Sequence, residues 1–336
     1  MRRAHNKDAR DGGAHPANVR FVRGYTERIA TYRKPVLIYN PAAGTFRRNP
    51  ERTLQRTTDA LGRASLWPRV IPTDAAGHAT EIAAEAVREG ADLILVLGGD
   101  GTINEVVNGM TGGMIGGQLG SDVPLGVLPG GTANVLAMEL GLGSRLERAI
   151  DRLASCTPKR VSLGKLCLSG HPARHFLMMA GAGLDAQIVC DLHSGLKART
   201  GKFAYYVAGF SQIVKRVGQL ETRINGDTYP CGFVLASRVR NYGGDLELAR
   251  GASLLSDEFE TVMFEGSNPW RYVFYMLAVA AKQVQKMPGV HTVRSTKIEL
   301  RGDAPVQIDG EYVGRSPAML EIIRDALTIL VPDTYG

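Results

Sequence analysis

Leu93-Ile94-Leu95-Val96-Leu97-Gly98-Gly99-Asp100-Gly101-Thr102-Ile103-Asn104-Glu105-Val106-Val107-Asn108-Gly109 decides how this chain folds. Its first five residues are apolar without alternation, as in a strand covered on both faces within a parallel sheet. The glycines that follow stop the strand. Ile103, Val106, Val107 and Met110 then recur at i, i+3, i+4 and i+7, one face of a helix. Thr102 stands at the expected N-cap, with Glu105 three residues on, the spacing of a capping box. A buried strand, a glycine turn and an amphipathic helix form half of a βαβ unit, so further parallel strands are expected on either side.

They are found in both directions. Upstream, Val36-Leu37-Ile38-Tyr39 reads as a buried strand stopped by Asn40-Pro41-Ala42-Ala43-Gly44. A helix over 50–61, a short strand Arg69-Val70-Ile71 and a helix over 77–89 follow. Downstream of a glycine-rich loop at 112–120, Pro124-Leu125-Gly126-Val127-Leu128 is a strand, and a helix starts near Asn134. This alternation predicts an α/β domain with a doubly wound parallel sheet. Near residue 160 the pattern changes. Segments 161–168, 175–180, 222–224, 233–236, 261–264, 293–300 and 306–308 are short and rich in β-formers, and Asn225-Gly226 and Asp309-Gly310 are hairpin signals. They predict a C-terminal antiparallel β-sandwich, interrupted by helices over 195–217 and 269–286. The boundaries expected are an arm at 1–30, domains at 31–159 and 160–316, and a segment at 317–336 whose apolar run returns to either domain.

The 336 residues carry a formal charge of +7, and the excess is local. Residues 1–52 hold twelve Lys/Arg and four Asp/Glu, leaving 28 basic and 29 acidic residues for the rest. Such a basic arm reads first as a solvated, disordered leader, with contact to an anionic lipid surface as the alternative; a core without positive excess argues against a nucleic-acid partner. Cys156, Cys167, Cys190 and Cys231 form no CxxC pair, so reduced thiols in a cytoplasmic protein are expected. No apolar run approaches the roughly 20 residues that span a bilayer, and the N-terminus lacks the apolar core of a secretory signal. Any membrane contact is therefore expected to be peripheral.

Three loops leave the C-terminal ends of the expected parallel strands: 40–44, 98–102 and Pro129-Gly130-Gly131-Thr132-Ala133-Asn134. That edge is where open α/β sheets bind ligands. Glycine permits close backbone approach, and a helix N-terminus presents free N–H groups to phosphate. Asp100 among those donors would repel a phosphate unless it met Mg²⁺ or hydrogen-bonded the attacking group. A Walker A loop is absent, since Gly201-Lys202 is followed by Phe203. Gly181-Ala182-Gly183-Leu184-Asp185-Ala186 matches GxGxxG/A, but the acidic residue a dinucleotide fold wants about 20 positions later is missing.

The motifs NPAAG at 40–44, GGDGTINEVVNG at 98–109, PGGTANVLA at 129–137, GAGLDA at 181–186 and IDGEYVG at 308–314 resemble those of the bacterial diacylglycerol kinase-like family, relatives of sphingosine and ceramide kinases. The likeness runs from Pro35 to Pro332. It implies a nucleotide-binding kinase domain, a lipid-binding β-sandwich and an active site in the cleft between them. The implied reaction is ATP- and Mg²⁺-dependent phosphorylation of a lipid alcohol such as diacylglycerol, at the inner face of the membrane. It implies ATP contacts from Asn40, Pro41, Ala42, Ala43, Gly44, Thr73, Gly98, Gly99, Asp100, Gly101, Thr102, Ile103, Asn104, Gly131, Thr132 and Asn134.

The resemblance also makes Glu311 the base; on residues alone it is equally a polar neighbour of a turn. Asp185 falls where the family has an aspartate near the lipid hydroxyl, or else is a helix cap. The family's structural metal loop reads DDG, an apolar residue, then Asp or Glu. Here Leu254-Leu255-Ser256-Asp257-Glu258-Phe259-Glu260 has Ser256 and Glu258 in place of the first Asp and the Gly, leaving Asp257 as the metal ligand. Two aromatic stretches with basic neighbours, 197–216 and 270–276, suit an interfacial or a core helix. A kinase of a soluble substrate such as NAD on the same scaffold, and a non-catalytic nucleotide or lipid sensor, are the alternatives. The lipid's identity and the oligomeric state, a homodimer included, stay open.

Overall fold

The computed structural model describes residues 32–46, 49–112, 121–193, 220–243, 246–266 and 268–336. The arm at 1–30, most of the glycine-rich loop at 112–120 and the helix expected over 195–217 lie outside the described residues. The first half runs β1 (Pro35–Tyr39), α1 (Pro50–Arg63), β2 (Arg69–Pro72), α2 (His78–Arg88), β3 (Leu93–Gly98), α3 (Asp100–Thr111), β4 (Ser121–Pro129), α4 (Val135–Glu139) and α5 (Leu146–Leu153). β1 pairs in parallel with β2 and β3, and β3 with β4. Every residue of β3 is buried, as its unbroken apolar run requires. The C-terminal ends of β1, β3 and β4 thus open on one edge.

The second half is antiparallel. It runs β5 (Cys156–Leu168), β6 (Arg174–Phe176), β7 (Met179–Gly183), α6 (Leu184–His193), β8 (Leu220–Ile224), β9 (Asp227–Ser237), β10 (Asn241–Tyr242), β11 (Leu246–Glu247), β12 (Phe259–Glu265), α7 (Pro269–Ala280), β13 (Val290–Ser295), β14 (Lys297–Arg301), β15 (Pro305–Ile308), β16 (Glu311–Arg315) and β17 (Ala318–Pro332). Its core centres on Phe176 stacked on Phe259, with Val234, Met263, Ile298 and Leu300 around them. Both two-residue turns close hairpins, β8–β9 through Ile224 and Asp227, and β15–β16 through Ile308 and Glu311.

β17 ties the halves together. It lies antiparallel to β5 along nearly its whole length, while Leu327 and Ile329 pair in parallel with β4. The sheet therefore continues from β16-β15-β7-β9-β8-β14-β17 into β4-β3-β1-β2.

Two expected strands are each two. Segment 293–300 breaks at Thr296: β13 pairs with β12, whereas β14 pairs with β8 and β17. Segment 175–180 breaks after Phe176: β6 pairs with β5, and β7 with β9 and β15. Neither segment contains a glycine or proline to mark the break, but the partner changes, and periodicity carries no record of the partner.

Candidate active site

The three glycine loops meet at the edge of the parallel sheet. The Gly130 N–H donates to the Gly98 carbonyl at 2.9 Å, and the Thr45 N–H to the Gly130 carbonyl at 3.0 Å. A Cβ at Gly131 would stand 2.5 Å from Gly99 Cα, so here glycine serves loop-to-loop packing. Asn134, at φ 51°, closes its own loop by accepting from the Gly131 N–H and donating to its carbonyl. Asn40 accepts from the Ala42 N–H at 2.8 Å and donates to Thr102 Oγ1 at 3.1 Å, linking the first loop to the second. Ala43 is buried, Pro41 and Ala42 are exposed, and Thr132 lies exposed beside Gly44. The Thr73 N–H extends the strand edge by donating to the Tyr39 carbonyl. Around Gly101 a Cβ would meet nothing within 4 Å, which leaves its backbone open to a ligand.

The capping box expected at Thr102 and Glu105 does not form. α3 begins three residues earlier, with Gly99 rather than Thr102 as N-cap and no side-chain cap. Thr102 takes the bond from Asn40, while Glu105 accepts from the Ala79 N–H of α2 at 3.3 Å. Asp100 has a further role that its spacing did not announce. Its carboxylate accepts from the Val135 and Leu136 N–H groups at 3.1 and 3.4 Å and so caps α4. Burial pushes its proton affinity up and these donors oppose the shift. The orphan N–H groups of one helix thus answer why an acid sits at the start of another. Ile103 buries its side chain in the core, leaving only its backbone to a ligand.

Facing this edge is a polar cluster from the β half. Asp309, buried at φ 47°, accepts from the N–H groups of Leu177, Met178 and Met179 and from Asn104 Nδ2, all at 2.9–3.0 Å. Desolvation raises its proton affinity against that set of donors. Asn104 also donates to the His175 carbonyl, as does Asn108 one turn along α3. Arg174 donates to both oxygens of Glu311, at 3.2 and 2.8 Å, and to Asn104 Oδ1 at 3.3 Å. This ion pair is half-exposed, with side-chain accessibilities of 34% and 43%.

Asp185 lies behind this cluster, wholly buried, and is no cap: it is the second residue of α6. Tyr242 OH donates to one of its oxygens and Gln307 Nε2 to the other at 2.7 Å. Burial raises its pKa to about 6, and the two donors pull it down. A Cβ at Gly181 would fall 1.6 Å from the Asp185 carboxylate, which accounts for the glycine pattern there without a dinucleotide. Gln307 accepts from the Gly310 N–H, so Asp185 is linked to the turn that presents Glu311.

Residues 34–166 match the model of the diacylglycerol kinase catalytic domain. The chain is similar to the diacylglycerol kinase of Staphylococcus saprophyticus, 27% identical over 88% of this chain and 95% of that one. It has the same identity and coverage with the diacylglycerol kinase of Bacillus subtilis. Among solved structures, a Bacillus anthracis diacylglycerol kinase superposes with TM-score 0.66 at 19% identity, over 91% of this chain and 99% of that one. Another chain from that organism reaches 0.74 at 22% identity, over 91% and 97%. Residues 34–166 thus carry the match to a lipid-kinase catalytic domain, and the chain resembles bacterial diacylglycerol kinases along most of its length.

The site holds groups that no motif announced. Arg174 stands in Pro172-Ala173-Arg174-His175-Phe176, which reads as ordinary strand-edge sequence. Asp309 reads as a hairpin residue, and nothing local says that its carboxylate collects four donors. Its company in Asp309-Gly310-Glu311 was the available signal. Asp257 stands apart from the site: its carboxylate accepts from the Ser162 hydroxyl, and Arg324 Nε lies 4.0 Å away. Among the described residues no group of three or more His, Cys, Asp and Glu side chains could hold a metal ion. Among them, too, no helix is long and apolar enough to cross a membrane.

Proposed function

We propose that the chain transfers the γ-phosphate of ATP, bound as its Mg²⁺ complex, to the hydroxyl of a lipid alcohol. Diacylglycerol, the substrate in its relatives' names, is the first candidate. The observation that carries the reading is Arg174, whose guanidinium reaches Asn104 on the glycine-loop helix and both oxygens of Glu311. Phosphoryl transfer to an alcohol needs a phosphate-binding edge and a proton acceptor held at fixed separation, and Arg174 spans the two.

In this reading residues 31–159 bind nucleotide, 160–316 bind lipid, and 317–336 join them as strand β17. Residues 40–44, Thr73, 98–104, Gly131, Thr132 and Asn134 surround ATP, several through backbone N–H groups alone. Mg²⁺ accompanying the triphosphate neutralises charge on its oxygens. Glu311 accepts the hydroxyl proton as the oxygen–phosphorus bond forms and the bond to ADP breaks. Asp185 acts at one remove, through Gln307 and the turn at 309–310. Membrane contact falls to α7: Phe274 and Leu277, three residues apart, are each 60% exposed, while Tyr272 and Tyr275 are buried.

The test is a phosphorylation assay with labelled ATP against dispersed diacylglycerol, ceramide, a sphingoid base, an undecaprenyl-type alcohol and NAD. Label on a lipid is expected, with diacylglycerol fastest. Label on NAD, or nucleotide binding without lipid turnover, would replace this reading by one of the alternatives.

A further inference from the structure

Arg238 follows β9 and is fully buried. An unpaired guanidinium in a protein interior is costly, so its partners carry information. Nη1 donates to the carbonyl of Ser162 on β5. Nη2 donates to the carbonyls of Leu254 at 2.6 Å and Ser256 at 3.0 Å. Three backbone carbonyls turned onto one point are an oxygen set of the kind that holds a hard cation. Here the point is occupied by the protein's own cation. Asp257, the residue after Ser256, supplies the nearby negative charge that favours the charged guanidinium against the effect of burial.

The family pattern places a divalent metal on this loop, and the residues present do not fit one. The carbonyls serve Arg238, Asp257 is engaged by Ser162, and the positions that would read Asp and Gly are Ser256 and Glu258. The direction of the charge change is consistent: Ser256 removes one aspartate from the pattern, and a monovalent guanidinium stands where a divalent ion is implied. We propose that Arg238 is the resident cation of the loop 254–258, so that this half of the molecule holds its shape without a bound metal. The consequence reaches the active site. The Arg238 N–H donates to the Met178 carbonyl at 2.8 Å, and the Met178 N–H donates to Asp309. One residue thus ties β5 and the loop to the turn that holds Asp309. The inference is independent of which lipid is phosphorylated.

The experiment is thermal unfolding of the nucleotide-free full chain, in EDTA and in millimolar Mg²⁺. Wild type should unfold at the same temperature in both. Arg238→Met, which keeps bulk and removes the cation, should unfold about 6 °C or more lower, and Arg238→Lys should recover part of the loss. A wild-type midpoint that falls in EDTA and recovers in Mg²⁺ overturns the proposal, as does Arg238→Met unfolding at the wild-type temperature. The wild-type comparison decides the matter even if Arg238→Met does not fold.

Discussion

The two sides of the site are built by different means. The glycine-loop side comes from short stretches at the ends of three adjacent strands, where backbone packs on backbone: Gly130 on Gly98, Gly131 on Gly99. The opposite side is assembled from Arg174, Asp185, Gln307, Asp309 and Glu311, and its link to the first, Asn104 to Asp309, spans 205 positions. One side is held by close packing and the other by buried carboxylates that collect donors. Substitutions should therefore act through sterics on the first side and through unsatisfied polar groups on the second.

The sharpest test of that division is Glu311→Gln. It keeps shape and an acceptor for Arg174 but removes the proton acceptor. Loss of a general base costs about 10² to 10⁴ in rate, so kcat should fall by that much with ATP affinity near wild type. Equal losses in rate and nucleotide affinity would show that Glu311 supports both sides structurally.

Next in size is Asp309→Ala. It strands the N–H groups of Leu177, Met178 and Met179 and the amide of Asn104. The expected cost is roughly 3–5 kcal/mol of folding stability, read as a lower urea midpoint at unchanged slope. A loss of activity with unaltered stability would mean that Asp309 acts on substrate and that the assembled side does not depend on its donors.

The same division explains how much was legible beforehand. The parallel half could be read from the chain because β3 is a run of apolar residues and its loop follows at once: Gly98, Gly99, Asp100 and Gly101 are neighbours in sequence and in space. Local pattern failed wherever a side chain's partner is remote. Thr102 and Glu105 have capping-box spacing, yet Asn40 and Ala79 claim them. Asp100 serves α4, 35 residues away. Arg174 meets Glu311 at a separation of 137, with no spacing rule to join them. Glu139 is a similar case: its buried carboxylate accepts from Arg240, Asn241 and Tyr335 and ties the first half to the second. Glu311 and Asp185 were reached through family likeness, since a carboxylate beside a turn is otherwise unremarkable.

Asp185 offers a pH test of the assembled side. Its folded pKa, about 6, lies above the roughly 3.9 of an unfolded aspartate. The folded state therefore holds a proton that the unfolded state has released between those values. The stability contributed by protonated Asp185 is full below about pH 4 and is lost as pH rises through about 6, to a limit of about 2–3 kcal/mol. Asp185→Asn should lack this decline, so the gap between variant and wild type should change over pH 4–6 and be flat above 7. Parallel stability curves would mean that Tyr242 and Gln307 hold Asp185 ionised throughout.

The smallest change, on the glycine-loop side, separates packing from ligand binding. Gly101 has no positive φ, lies in the first turn of α3, and has open space around a Cβ. Alanine there should leave the fold intact or stabilise it by about 0.5–1 kcal/mol, because glycine loses more freedom in a helix. If phosphate rests on this helix N-terminus, the new methyl stands in its way, and ATP affinity should fall while the unfolding midpoint holds or rises. Gly131→Ala should do the opposite first: its Cβ would press on Gly99 Cα at 2.5 Å, so stability falls together with binding. Isothermal titration with ATP and thermal unfolding on the same two variants measure both quantities. Unchanged affinity in Gly101→Ala would mean that the β3–α3 turn only packs against its neighbours, and the phosphate site would have to be sought at Gly44 and Thr132.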